Sequence, residues 1–193
     1  MKGKLNFLQV LGLILVVLSA GILLGSQWLA NRHSTQAKTL ASEIKSNLPQ
    51  ITQGDPTNYS NPAMPVLQLP EGDFSCLIEV RSFGILLPVG SSWDSVSLSQ
   101  YPRTFWGSAY DSSLILGGSS QNGQFDFCGK LDLGEKITIT DMTGAQFSYE
   151  VIRIDRRNQV DLDVLRDSES HLTLFVKDPN AGTYIIVRCF LAP

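Results

Sequence analysis

The sequence has few of the residues that most often carry metal or redox chemistry. Its 193 residues include two histidines and three cysteines, and Cys76, Cys128 and Cys189 show no paired C-x-x-C spacing. Structural zinc sites usually need four such ligands at short spacings, so we predict no metal ion and no cofactor. Because the cysteine count is odd and small thiols are common in cores, free buried cysteines are favoured over a Cys76–Cys189 disulfide.

A surplus of positive charge is also missing. Beyond residue 70 the chain has 10 basic and 16 acidic residues, which is a formal net charge of −6. Proteins that bind nucleic acid normally present a basic face and aromatic platforms. The charge balance therefore argues against a nucleic-acid partner.

Long apolar runs are confined to the N-terminus. The chain from Leu8 to Leu24 is uncharged and mostly apolar, and with residues up to Leu29 it reaches the roughly 20 residues that a membrane-spanning helix needs. A cleaved signal peptide is the alternative, but its apolar core is usually shorter and no A-x-A site follows. We expect a cytoplasmic tip and an uncleaved transmembrane helix over residues 1–33, with the rest of the chain on the extracytoplasmic side.

Residues 34–73 are predicted to connect this anchor to a folded domain. An apolar periodicity predicts a short helix that ends before Pro49. Four prolines among small polar residues then indicate an extended spacer with little regular structure. As an alternative, four apolar residues of this stretch can dock on the domain: Met64, Val66, Leu67 and Leu69.

From Phe74 to the C-terminus the pattern is that of an all-β domain, over residues 74–193. Short runs rich in β-branched and aromatic residues alternate with turn residues. A hairpin turn is predicted at 141–144, and a short helical turn is predicted around 126–133. Many short strands in about 120 residues indicate a closed barrel or a sandwich. The predicted strands are 74–80, 84–89, 113–116, 136–140, 146–154, 171–176 and 183–191.

Several segments of this domain resemble motifs of the sortase family, in the family's order. S-L-I-L-G-G-S at 113–119 resembles the strand end V-I-A-G-H-R, and L-T-L-F-V-K at 172–177 resembles L-T-L-I-T-C. Y-P-R-T at 101–104, S-Y-E-V-I-R-I at 148–154 and Y-I-I-V-R at 184–188 are similar to three further motifs. The resemblance covers roughly Phe74 to Leu191 and implies a closed sortase-like β-barrel of about seven to eight strands with short helical turns.

The resemblance also implies a function that this chain is not equipped to perform. Sortases are membrane-anchored cysteine transpeptidases of Gram-positive cell surfaces, in which cysteine attacks a sorting-signal peptide, histidine handles protons and arginine stabilises the oxyanion. By position these roles fall on Lys177, Gly118 and Tyr184. Lysine forms no thioester and glycine has no group to move a proton, although Tyr184 can still donate one hydrogen bond. We therefore expect no catalytic residues.

Three interpretations follow. The first is a catalytically inactive sortase homologue at the cell membrane that binds a sorting-signal peptide, a pilin or an active sortase. The second is an enzyme, either a Ser-Lys hydrolase or transpeptidase that uses Ser119 (or Ser120) with Lys177, or a sortase whose nucleophile is misaligned. The third is a tethered β-barrel interaction module unrelated to sortases, with contact loops at 117–124 and 157–170.

Overall fold

The computed structural model describes residue 19 and residues 35–95, 98, 100–121 and 123–192. The predicted transmembrane helix lies outside these residues, apart from Ser19. Among the helices within the described ranges, none combines the length and the apolar character needed to cross a membrane.

The described chain contains ten strands, helices α1 and α2, and short 3-10 turns. Helix α1 covers residues 35–47 and helix α2 is the short segment Leu162–Leu165. A 3-10 turn at Phe125–Gly129 lies within the stretch where a helical turn is predicted. The strands are β1 (Thr52–Gln53), β2 (Leu67–Leu69), β3 (Gly72–Val80), β4 (Ile85–Gly90), β5 (Arg103–Trp106), β6 (Leu114–Gly118), β7 (Lys136–Asp141), β8 (Ala145–Arg157), β9 (Leu172–Lys177) and β10 (Tyr184–Leu191).

Eight of these strands close into a barrel in the order β3-β4-β5-β6-β9-β10-β8-β7, with β7 returning to β3. The β4–β5 and β6–β9 pairs are parallel, and the other pairs within the barrel are antiparallel. Strands β2 and β1 extend the sheet beside β3 and β8. The prediction of an all-β closed barrel is confirmed, and each of the seven predicted strands is present.

The strands alternate between two faces, as the pleat of a strand requires. On β9, for example, Leu172, Leu174 and Val176 point into the main core of the barrel. Phe175 points the other way, into a second and smaller cluster with Ile115 and other residues. The barrel thus has an inner core and a separate apolar patch on the outer face of β6, β9 and β10.

The predicted short helix and the stretch that follows it both pack against the barrel. Helix α1 buries Ala37, Ala41 and Ile44 in the main core, and the Nζ of Lys45 forms a 2.5 Å ion pair with Glu79 of β3. Apolar burial favours this docking, because a fully buried isoleucine such as Ile44 contributes about 1.5–3 kcal/mol and alanines and partly buried side chains contribute less. Of the four residues in the docking alternative, Met64, Leu67 and Leu69 pack against the core. The fourth, Val66, is 48% exposed.

Candidate functional site

The structure brings the three family catalytic positions to one corner of the barrel. Gly118 ends β6 and pairs with Val176 of the parallel strand β9. Lys177 is the next residue of β9 and pairs with Tyr184, the first residue of β10. These positions therefore lie on three neighbouring strands.

The position of the family histidine is closed to any side chain. A Cβ atom built on Gly118 would lie 2.4 Å from Cγ of Phe125, a distance that real Cβ contacts essentially never show. Phe125 is fully buried and begins the 3-10 turn, where its backbone N–H donates to the carbonyl of Ser119 over 3.0 Å. The aromatic ring thus occupies the space next to the strand end, and a histidine there would have to displace it.

Lys177 sits on the rim of a shallow depression of about 310 Å³ beyond the strand ends, which Ser120 also lines. Its side chain is exposed, and among the described residues it forms no ion pair. The hydroxyl of Ser119 accepts a 3.3 Å hydrogen bond from the N–H of Gln121. No hydrogen bond joins Ser119 to Lys177 within the described part of the chain.

The three thiols lie inside the main core. Cys76, Cys128 and Cys189 are free and each is 0% exposed. Burial raises the pKa of Cys76 and of Cys189 to about 12, and it raises the pKa of Cys128 well above its ordinary value. A thiolate is the reactive form of cysteine, so none of these thiols is poised for attack. The prediction of free core cysteines is confirmed.

His171 is remote from the corner. It precedes β9, at the end of that strand opposite to Lys177. Its Nδ1 accepts a 3.2 Å hydrogen bond from the N–H of Leu191, and its ring lies 4.2 Å from the ring of Phe190. Desolvation by burial lowers its pKa. The histidine therefore serves the packing of β9 on β10.

An aromatic group covers the outer face next to the corner. A Cβ on Gly117 would lie 2.4 Å from Cζ3 of Trp93 and 2.6 Å from Cζ of Phe175. Phe105 completes the group, with its ring centroid 4.9 Å from Trp93 and 5.3 Å from Phe175. Only glycine at 117 lets the indole approach the strand this closely, which explains the first glycine of the G-G pair.

Arg188 fixes the loop that borders this face. Its guanidinium is 6% exposed and donates to the carbonyl oxygens of Val164 (2.6 Å) and Leu165 (3.0 Å), at the end of α2. It also bonds Asp155 over 3.2 Å. In the sequence, Arg188 ends the Y-I-I-V-R motif, four residues after Tyr184. The structure shows that the side chain holds the loop at 158–170 onto the barrel.

The loop at 158–170 and the β5–β6 hairpin enclose a second depression, of about 350 Å³, at the other end of the outer face. Ser112, Ile115, Arg166 and Thr173 are among the residues that line it. The guanidinium of Arg166 lies 5.2 Å from the ring centre of Trp106. No three histidine, cysteine, aspartate or glutamate side chains are grouped to hold a metal ion within the described residues.

The sequence matches no protein-family model, and it matches no curated protein. The fold, however, is similar to several solved structures. Sortase C-1 from Actinomyces oris shares 21% identity with a TM-score of 0.53, covering 83% of this chain and 99% of that one. The pilus-related sortase C of Group B Streptococcus shares 18% identity with a TM-score of 0.55, covering 84% and 91%.

A lid mutant of sortase A from Corynebacterium diphtheriae gives a similar result. It shares 18% identity with a TM-score of 0.55, and the match covers 83% of this chain and 94% of that one. Similarity of this extent at low identity is evidence about architecture, because folds host many different functions. The barrel with its corner of neighbouring strand ends is a sortase-like fold.

Proposed function

We propose that this chain is a catalytically inactive sortase homologue that binds a peptide or protein partner at the cell surface. The apolar run at 8–29 supports a single-pass membrane anchor, with the barrel on the extracytoplasmic side. The partner is a sorting-signal peptide, a pilin or an active sortase. The corner of the barrel and the outer face beside it are the proposed contact surface.

One observation carries this proposal. The side chain of Phe125 occupies the space that a histidine at position 118 needs. The position of the catalytic base is therefore filled by another side chain. Lys177 and Tyr184, at the other two family positions, supply no nucleophilic thiolate and no guanidinium. The three thiols of the chain are buried in the main core, away from solvent.

The test measures binding and turnover separately. The full-length chain is incubated with sorting-signal peptides, binding is followed by calorimetry and cleavage by mass spectrometry. We expect binding without any cleaved product. Cleavage that persists in the variants Cys76→Ala, Cys128→Ala and Cys189→Ala, but is lost in Lys177→Ala, would contradict the proposal.

A Ser-Lys enzyme is the second candidate, and one feature of the register favours it. Gly118 pairs with Val176 in parallel strands, so Ser119 and Lys177 are the next residues of adjacent strands. This candidate predicts cleavage that is lost in both Ser119→Ala and Lys177→Ala. Cleavage lost on replacing one of the cysteines would instead identify a misaligned nucleophile.

A further inference from the structure

Three side chains form a row across the corner, on the outer face of the barrel. Tyr184 pairs with Arg157 at the end of β8 and with Lys177 at the end of β9. Residues directly opposite on neighbouring strands share a face, and Tyr184 packs against the outer-face cluster. Two strand spacings separate the Cα atoms of Arg157 and Lys177 by about 10 Å. Their long side chains can therefore converge above the tyrosine.

The two basic residues of this row carry uncompensated charge. Both are exposed, and neither forms an ion pair with any part of the chain that the structure describes. The basic residues around them, in contrast, each form an ion pair with an aspartate. Lys130 pairs with Asp126 over 3.2 Å, and Arg156 pairs with Asp178 over 3.0 Å.

Asp178 is the acidic residue next to Lys177 in the chain, but its carboxylate is already engaged. One oxygen accepts from Arg156, and the other accepts from the backbone N–H groups of Asn180 (2.9 Å) and Ala181 (3.3 Å). These bonds lower the pKa of Asp178, those from the backbone first. The row therefore keeps two positive charges and the tyrosine hydroxyl for an external acceptor, although the chain beyond residue 70 has a net charge of −6.

The next row of the same face consists of Asp155, Ile186 and Phe175, and the Asp155 carboxylate is already bound by two arginines. Ile186 is fully buried and Phe175 is 6% exposed, and both lie one step further from the corner. Trp93 covers Phe175 with its ring centroid 5.6 Å away and is itself 38% exposed. The apolar surface that a ligand can reach next to the basic row is therefore the ring of Trp93. A ligand that fits both has an apolar body and an anionic end. An extended peptide with a carboxylate at or near one end has this chemistry.

We propose that Arg157, Tyr184 and Lys177 bind the carboxylate of a peptide whose apolar residues lie against Trp93. The inference rests on the proposed function and adds that the partner carries a carboxylate where it contacts the corner. The carboxylate comes from the C-terminus of the peptide or from an acidic side chain. Two charge-assisted hydrogen bonds and one from a hydroxyl are the bonds that a carboxylate can accept in this arrangement.

The experiment compares three probes on the full-length chain by calorimetry. The first is an acetylated Ala-Leu-Ala-Leu peptide with a free C-terminal carboxylate, the second is the same peptide amidated, and the third is amidated but has one leucine replaced by glutamate. We expect the free acid to bind at least about tenfold more tightly than the amide, as charged hydrogen bonds usually give. The glutamate peptide tells whether a side-chain carboxylate serves equally well.

Variants test whether the preference for the free acid arises from the row of Arg157, Tyr184 and Lys177. The double variant Arg157→Gln, Lys177→Gln is expected to bind acid and amide alike, and Tyr184→Phe is expected to keep part of the difference. Lys136→Gln is the matched control, because Lys136 is also exposed and unpaired within the described chain but lies on β7. Thermal melting checks that each variant is folded. Added salt is expected to reduce the preference, since exposed charges are screened.

The outcomes separate the inference from the function on which it rests. If acid and amide bind equally to the natural chain, or if the double variant keeps the difference, the carboxylate site is wrong while peptide binding stands. If no probe and no sorting-signal peptide binds at millimolar concentration, both are wrong. If the probes bind as expected but sorting signals are cleaved, the site stands and the inactive homologue is wrong.

Discussion

At the scale of single residues, the corner is defined by the residues at the positions that the resemblance to sortases assigns to catalytic groups. Gly118 is not a passive deletion, because the ring of Phe125 lies where its Cβ would be. The glycine and the phenylalanine are therefore a coupled pair, in which the absence of one side chain permits the burial of the other. This coupling is open to measurement.

We predict that Gly118→Ala destabilises the barrel by about 1–3 kcal/mol, since an added methyl group overpacks this site. Urea unfolding of the natural chain, Gly118→Ala, Phe125→Ala and the double variant measures the effect as a cycle. The loss of unfolding free energy caused by Gly118→Ala is expected to be much smaller in the Phe125→Ala background. An equal cost in both backgrounds would show that the ring does not exclude a side chain at 118.

The same pair limits any restoration of the family's catalytic groups. Introducing histidine at 118, cysteine at 177 and arginine at 184 restores the residue types but not the space for the histidine. The missing groups are visible in the sequence, where G-G-S and V-K stand in place of the family's residues. The contact that closes the position is not visible, because Phe125 follows seven residues later and reaches Gly118 only through the fold.

At the scale of elements, the loop at 158–170 depends on one buried cation. Arg188 of β10 donates to two carbonyl oxygens at the end of α2 and to Asp155 of β8. Arg153 binds the same carboxylate from the surface over 3.1 Å and also Asp167, but its side chain is 45% exposed. Because Arg188 is buried and Arg153 is exposed, their ion pairs contribute differently to the stability of the protein.

We predict that Arg188→Met destabilises the protein by about 3–5 kcal/mol, because it leaves buried acceptors and a carboxylate without their partner. Arg153→Met is the matched control and is expected to cost at most about 1 kcal/mol, as exposed ion pairs usually do. Urea unfolding measures both. Hydrogen exchange is expected to show lost protection at 158–170 in Arg188→Met alone, and equal effects of the two substitutions would contradict the assigned anchor.

The elements also show how far the sequence predicts this fold. Alternation identified strands such as β7, where Lys136 to Thr140 switches faces at each residue. It missed β5, whose four residues are partly exposed on both faces and give no apolar period. It also missed α2, which is four residues long and held by Arg188 rather than by its own periodicity. The row of Arg157, Tyr184 and Lys177 depends on strand register, which one sequence does not specify.

At the scale of the whole molecule, the closed barrel keeps its three thiols away from water. The three cysteines lie on β3, on the 3-10 turn and on β10, and all are 0% exposed. Burial also raises the pKa of Tyr149 and of Tyr110. No single local opening exposes thiols on such separate elements, so their ionisation is linked to unfolding of the entire barrel.

This linkage predicts a loss of stability at alkaline pH. The pKa of Cys76 rises from 9.0 to about 12 on folding, so the unfolded chain loses its thiol proton first. The contribution is complete below pH 9 and declines as the pH rises towards 12, by up to about 1.4 kcal/mol per thiol for each pH unit. Urea unfolding at pH 8, 9, 10 and 11 is expected to show this fall. Cys76→Ala is expected to lower the stability at pH 8 but to make its decline above pH 9 less steep. If the stability of this variant fell as steeply with pH as that of the natural chain, the thiol would ionise equally in the folded and unfolded chains.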